Sequence, residues 1–85
     1  MTKNENKETL QQVQIILRNQ FKDSTLQVDL DTQAKDITGW DSLKNIKIFI
    51  DLEQKFKIKF SGTEILDLEN IADIIKLIIN KKFNN

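Results

Sequence analysis

The spacing of apolar residues limits the fold of this chain more than any other feature. In three stretches they recur at the intervals of a helix packed on one face, and no Pro and only two Gly interrupt 85 residues. The stretches run from about Asn4 to Phe21, from Ser42 to Phe56 and from about Glu69 to Lys82. The first places its apolar stripe at Leu10, Val13, Ile16, Leu17 and Phe21, and the third at Ile71, Ile74, Ile75 and Ile78. Three longer helices are predicted.

The segments between these helices predict one long loop and one short helix. Residues 22–41 break the helical pattern and place Asp23, Asp29, Asp31 and Asp36 among short apolar residues, which indicates a structured acidic loop. The run FKIKF, residues 56–60, alternates like a strand, but no second such segment exists to pair with it. We therefore expect an extended connection that buries Ile58 and Phe60.

A short helix should follow, because Ser61 and Glu64 have the spacing of a capping box and precede Ile65 and Leu66. The predicted fold is thus all-α: a four-helix bundle with three longer helices, one short helix and a long loop between helices 1 and 2. No repeat or linker divides the chain, so a single domain over residues 1–85 is expected.

Charge and cysteine content narrow the possible partners. Lys plus Arg and Asp plus Glu both total 13, so no overall field attracts nucleic acid or an anionic membrane. Without Cys there is neither a disulfide framework nor a thiolate metal site, and no leader or long apolar run is visible. We expect a cytoplasmic monomer with no metal, no membrane association and no nucleic-acid partner.

The sequence GWDSL, residues 39–43, lies where the loop ends and the second helix begins. One interpretation is that Asp41 or Ser42 is only the N-cap of that helix. A nucleophilic serine would need a base, normally His, and the chain contains none, so no catalytic residue is predicted. A third interpretation is an attachment point, since a helix N-terminus favours the phosphate of a phosphodiester on Ser42.

The residues around GWDSL resemble those of the phosphopantetheine-bearing acyl carrier protein family, in its stand-alone form. The segment DITGWDSLKNIKIFIDLEQKFKIKF resembles the family's attachment motif and the helix after it, including an acidic residue and a Phe near its end, here Glu53 and Phe56. The segment ILDLENIADIIKLI resembles the family's last helix. The resemblance spans nearly the whole chain and implies that 4'-phosphopantetheine is carried covalently on Ser42.

The resemblance also implies what acts on such a protein. A phosphopantetheinyl transferase would transfer the arm from coenzyme A, a ligase would load an acyl or aminoacyl group as a thioester, and downstream acyl-using enzymes would receive it. The protein would be a carrier and not an enzyme. Asp41 matches the family's residue before the serine, where a carboxylate would support the transferase; helix capping is the equal alternative.

Partner contacts are expected on the second helix near Ser42. By resemblance, Leu43 and Ile50 lie on an exposed face that contacts partner enzymes. Trp40 would contact a partner or, in the interpretation slightly favoured here, close the loop as a half-buried ring. Core packing is the expectation for Ile46, Leu52 and Phe56.

Basic residues depart from the family pattern, because typical fatty-acid carriers display carboxylates where this chain has Lys44 and Lys47. Charge across an interface mainly sets partner choice, so these lysines predict neutral or acidic partner surfaces and a specialised biosynthetic pathway. The alternative is a non-catalytic helical module for protein interaction, in which Ser42 is only a helix cap. A DNA-reading helix-turn-helix is disfavoured by the zero net charge.

Overall fold

A computed structural model of the protein describes the backbone of residues 3–83 and the side chains of residues 6–82. The four α-helices are α1 (Lys3–Phe21), α2 (Ser42–Phe56), α3 (Gly62–Leu66) and α4 (Ile71–Phe83). A single 3-10 turn, Ala34–Asp36, lies in the long loop, and no strand is present within residues 3–83. The predicted all-α bundle of three longer helices and one short helix is confirmed.

The core lies where α1 packs against both α2 and α4. Its fully buried side chains come from these three helices: Val13, Leu17, Ile48, Leu52, Ile71, Ile75, Ile78 and Ile79. The apolar stripes predicted for the first and last helices are therefore the inward faces, with Leu10 and Phe21 packed at the edge of the core. No helix within residues 3–83 is long and apolar enough to cross a membrane.

The acidic loop is fixed by hydrogen bonds to α1 and to α4. Its backbone bonds to α1 through Gln14, whose side-chain oxygen accepts from Val28 N at 2.8 Å, and through Arg18, whose Nε donates to Leu26 O at 2.6 Å. Near the middle of the loop, Ile71 N donates to Thr32 O at 2.9 Å. This last bond satisfies an N–H of the first turn of α4, which has no acceptor within its own helix.

The aspartates of this loop stabilise its turns. Asp29 accepts a hydrogen bond from Asp31 N at 2.9 Å, and Asp36 accepts one from Gln33 N at 2.9 Å. Asp23 accepts from the hydroxyl and the backbone N–H of Thr25, which lowers the pKa of this exposed carboxyl below its usual value. Within residues 3–83 no group of three or more acidic side chains is placed to hold a metal ion.

The connection from α2 to α3 has the extended form that the sequence predicted. Ile58 is buried and Phe60 is half-buried, with the Phe60 ring edge-on to that of Phe49 at 5.2 Å between centroids. The capping box of α3 is also confirmed: Glu64 N donates to Ser61 Oγ at 3.1 Å, and Ser61 N donates to the Glu64 carboxylate at 2.8 Å. The second bond, together with the ammonium of Lys81 at 2.9 Å, lowers the pKa of Glu64.

Lys57, the C-cap that follows the last residue of α2, has a left-handed backbone with φ of +57°. Side chains other than that of Gly are strained there, by about 1–2 kcal/mol. We expect Lys57→Gly to raise the free energy of unfolding by about 0.5–1 kcal/mol in urea denaturation, because relief of strain exceeds the added freedom of the unfolded chain. Lys59→Gly, two residues on and outside the left-handed region, is the matched control. It should not stabilise, and equal stabilisation by both would refute this explanation.

Candidate functional site

The site is built at the start of α2. Asp41 is the N-cap: its backbone is extended and its carboxylate accepts a hydrogen bond from Lys44 N at 2.8 Å, while its carbonyl accepts from Asn45 N at 2.9 Å. Of the two residues considered for this role, Asp41 therefore takes the cap and Ser42 becomes the first residue of the helix. Gly39, with φ of +91°, supplies the turn by which the loop reaches the helix, in a backbone region that other residues rarely enter.

Ser42 is exposed, and within the described residues its hydroxyl makes no hydrogen bond. The N–H groups of Ser42 and Leu43 have no acceptor within their own helix, because both belong to its first turn. Asp41 occupies only the N–H of Lys44. The position thus combines an outward hydroxyl with free N–H donors at the positive end of a helix of 15 residues, an arrangement that fits a phosphate ester.

Trp40 lies half-buried beside the serine and fastens the loop to two helices. Its indole N–H donates to Asn45 Oδ1 on α2 at 2.9 Å, and its ring packs at 5.9 Å from that of Phe21 at the end of α1. The interpretation of Trp40 as a ring that closes the loop against the bundle agrees with these contacts. Asn45, which the sequence did not single out, holds the indole in place.

The outer face of α2 is an exposed apolar ridge of Leu43, Ile46 and Ile50, with exposed fractions of 61%, 58% and 46%. The expectation that Ile46 packs in the core was wrong. The inward face is set by Ile48, Phe49 and Leu52, all buried, and Ile46 lies on the opposite side of the helix. Phe56 is half-buried against the core, as expected. This ridge is continuous from the turn that holds Ser42.

The two lysines near Ser42 have different surroundings. The Lys44 ammonium donates to the carbonyl of Gln20 at 2.8 Å and lies 5.6 Å from the centre of the Phe21 ring. It thus neutralises the negative end of α1, where backbone carbonyls lack partners. Lys47 is exposed. Of these two lysines, only Lys47 presents its charge fully to solvent beside the apolar ridge. The sequence pattern alone does not distinguish Lys47 from Lys44.

A small cavity of about 50 Å³ lies behind the site. Trp40 and Asn45 line its outer side, and Phe49, Ile71 and Ile74 line its inner side. Pockets that enclose a ligand are typically about 300 Å³ or larger. This cavity is therefore too small, in this conformation, to enclose a long acyl chain.

The region that contains this site matches a known protein family. The family described as "phosphopantetheine attachment site" matches residues 11–78, which include the end of α1, all of α2 and most of α4. An acyl carrier protein of Cyanidium caldarium is 31% identical over 74 residues, covering 87% of this chain and 86% of its relative. An acyl carrier protein of Exiguobacterium sibiricum is 33% identical over 52 residues, or 61% of this chain and 66% of that protein.

Solved structures show the same fold. The solution structure of a holo acyl carrier protein from Geobacter metallireducens has a TM-score of 0.83 and 34% identity, and covers 89% of this chain and 87% of that one. The crystal structure of an acyl carrier protein from Thermotoga maritima superimposes with a TM-score of 0.84 over 99% of this chain and 98% of that one, at 21% identity. The second likeness concerns the fold alone.

Proposed function

The chain belongs to the acyl carrier protein family, whose members carry a phosphopantetheine attachment site, and on that premise we propose that Ser42 is the residue to which 4'-phosphopantetheine is attached. The observation that carries this proposal is the place of Ser42 among the three serines of the chain. Ser61 uses its hydroxyl in the capping box of α3, and Ser24 lies in the turn after α1. Ser42 alone combines an exposed hydroxyl with the N-terminus of a long helix.

In this proposal the chain displays a hydroxyl and stabilises the phosphate, but does no chemistry of its own. The N–H groups of the first turn of α2 would hydrogen-bond the phosphodiester oxygens, and the helix dipole would favour their charge. When bound, the arm supplies a thiol that holds an acyl or aminoacyl group as a thioester. A phosphopantetheinyl transferase would bring the base that removes the Ser42 proton, since the chain contains no His. The Ser42 oxygen would then bond to the phosphorus of the arm as the pyrophosphate bond of coenzyme A breaks and adenosine 3',5'-bisphosphate leaves. One carrier domain over residues 1–85 is sufficient for this role.

Asp41 has two separable roles, helix capping and support of the transferase. Asp41→Asn keeps a side-chain oxygen for the cap but removes the charge, and Asn caps as well as Asp. We expect this variant to retain its free energy of unfolding while its rate of modification by a phosphopantetheinyl transferase falls at least tenfold, a loss of about 1.4 kcal/mol of transition-state stabilisation. Asp41→Ala should lower both, with about 1 kcal/mol lost from folding. An unchanged rate in Asp41→Asn would restrict Asp41 to the cap.

Partner enzymes are proposed to dock on the apolar ridge of Leu43, Ile46 and Ile50, with Lys47 beside it. Exposed apolar residues on one helix face beside the attachment site are typical of a protein-binding surface. Trp40 and Lys44 hold this surface in position, because Trp40 is hydrogen-bonded to Asn45 and Lys44 to the carbonyl of Gln20. A Lys47→Glu variant tests whether the charge of Lys47 contributes to partner docking, and it leaves the contact of Lys44 with α1 in place.

The pathway is proposed to be a specialised one rather than general fatty-acid synthesis. Lys47 on the docking face, and a chain with no net charge, do not suit a basic partner surface. An adenylating ligase that loads an amino acid or an unusual acyl group, with a neutral or acidic docking surface, is the partner we favour. The exposed ridge also suits the alternative, a pure interaction module, which predicts that binding to partners does not require the hydroxyl of Ser42.

A further inference from the structure

A second surface lies at the far end of α2 from Ser42. It is an open groove of about 700 Å³, the lysine groove, between the last turns of α2, the extended connection and α4. Its apolar members are Ile50 and Ile58, and its charged members are Glu53, Lys57, Lys59 and Lys81. Neither the family match nor the proposed attachment of phosphopantetheine gives this groove a role.

The charge left in the groove is positive. The Glu53 carboxylate accepts a hydrogen bond from Phe60 N at 2.9 Å, which occupies one of its oxygens. Lys81 is paired with Glu64 across 2.9 Å. Lys57 and Lys59 are exposed and form no ion pair with any described residue. The hydrogen bond leaves the formal charge of Glu53 in place, so Lys57 and Lys59 together exceed it by one positive charge, beside the exposed Ile50.

The left-handed backbone of Lys57 is not special to the groove, because Lys22 after α1 has the same conformation and many helices end in this way. Its φ of +57° is a conformation in which Gly is favoured at the end of a helix. Here the chain bears the strain and keeps a lysine whose side chain lines the groove.

The groove is continuous with the apolar ridge, because Ile50 belongs to both. The 15 residues of α2 span about 22 Å at 1.5 Å per residue. A protein that covers the ridge next to Ser42 therefore reaches the groove along the same helix. The fields of the two lysines extend about 8 Å at physiological salt, so they act on the part of a partner that lies directly over the groove.

We propose that the lysine groove binds an acidic, partly apolar segment of a partner protein. Carboxylates of that segment pair with Lys57 and Lys59, and its apolar side chains cover Ile50, which is 46% exposed. Nucleic acid or an anionic membrane is a poorer match, because the chain as a whole has no net charge. That the partner is an acyl-handling enzyme rests on the proposed function, whereas binding in the groove does not require the arm on Ser42.

The test is a titration of the ¹⁵N-labelled protein, followed by NMR, with a helical peptide of about 14 residues made of Leu and Glu. Its counterpart with Lys in place of Glu is titrated in parallel. The acidic peptide should shift the amides of Ile50, residues 57–59 and Lys81, and bind more weakly as salt is raised. The basic peptide should not bind there. Ser42→Ala should bind the acidic peptide as the wild type does, which separates failure of this inference from failure of the attachment site.

Charge reversal supplies the matched control. Lys57→Glu with Lys59→Glu should weaken binding of the acidic peptide by on the order of tenfold or more. Lys35→Glu with Lys76→Glu changes the net charge equally at two exposed positions outside the groove and should have little effect. Equal weakening by both pairs, equal binding of both peptides, or no binding would overturn the proposal. So would the same amide shifts on addition of phosphatidylglycerol vesicles or a single-stranded oligonucleotide, which would indicate a general anion surface.

Discussion

Leu52→Ala is expected to lower the free energy of unfolding by about 2–5 kcal/mol, because it opens a cavity where α2 meets the rest of the core. Leu52 has no exposed surface, and its neighbours come from helices that are distant in sequence. A domain of this size has a total stability of roughly 4–13 kcal/mol, so the loss is a large part of it. Urea denaturation followed by circular dichroism measures the difference.

The control for this prediction is the same substitution on the surface. Leu66, at the end of α3, is 84% exposed, and Leu66→Ala should change stability by no more than about 0.5 kcal/mol. If the two variants lost similar stability, the assignment of Leu52 to the inward face of α2 would be wrong, and with it the outward direction of the apolar ridge.

Ser42→Ala is expected to abolish modification by a phosphopantetheinyl transferase, since the hydroxyl that forms the phosphodiester is gone. Because Ser42 is exposed at the first position of α2 and Asp41 provides the cap, stability should change by no more than about 0.5 kcal/mol. Incubation with coenzyme A and a broad-specificity transferase, followed by intact mass, measures the modification. Thermal unfolding of the same sample shows whether the fold is retained.

Ser61→Ala should give the opposite pair of results. It removes the hydroxyl that caps α3 and should lower the free energy of unfolding by about 1 kcal/mol, while modification proceeds as in the wild type. Modification of Ser42→Ala, or its loss in a folded Ser61→Ala, would exclude Ser42 as the attachment residue. If the wild-type chain never carries the arm and Ser42→Ala still binds the same partners, the interaction module would be favoured.

Apolar periodicity was sufficient to predict the helices, because α1 and α4 each bury a single face. It was insufficient for the orientation of α2, where apolar residues lie on both faces. The run of Ile48, Phe49 and Ile50 offers two inward directions at the same spacing, and Ile46 suits either until the neighbouring helices are in place. The start of α4 was predicted two residues early, since Asn70 accepts from Asp73 N at 2.9 Å just before the helix begins.

The site itself was predictable as far as its chemistry is local. The capping pattern and the absence of His both follow from residues read in order along the chain. The role of Lys44 does not, because its ammonium contacts Gln20 O, which is 24 positions away. The lysine groove is likewise lined by Lys81 of α4 beside Lys57 and Lys59, a proximity that appears only when the helices are packed.

Site-resolved mass of the wild-type protein tests the central claim most directly. The protein is purified from its own cells, incubated with coenzyme A and a phosphopantetheinyl transferase, and fragmented to locate any added mass, with a known carrier modified alongside. We predict one 4'-phosphopantetheine per chain, on Ser42, with any further mass in the native sample identifying the thioester cargo. An arm on Ser24 or Ser61, or none while the known carrier is modified, would contradict the account.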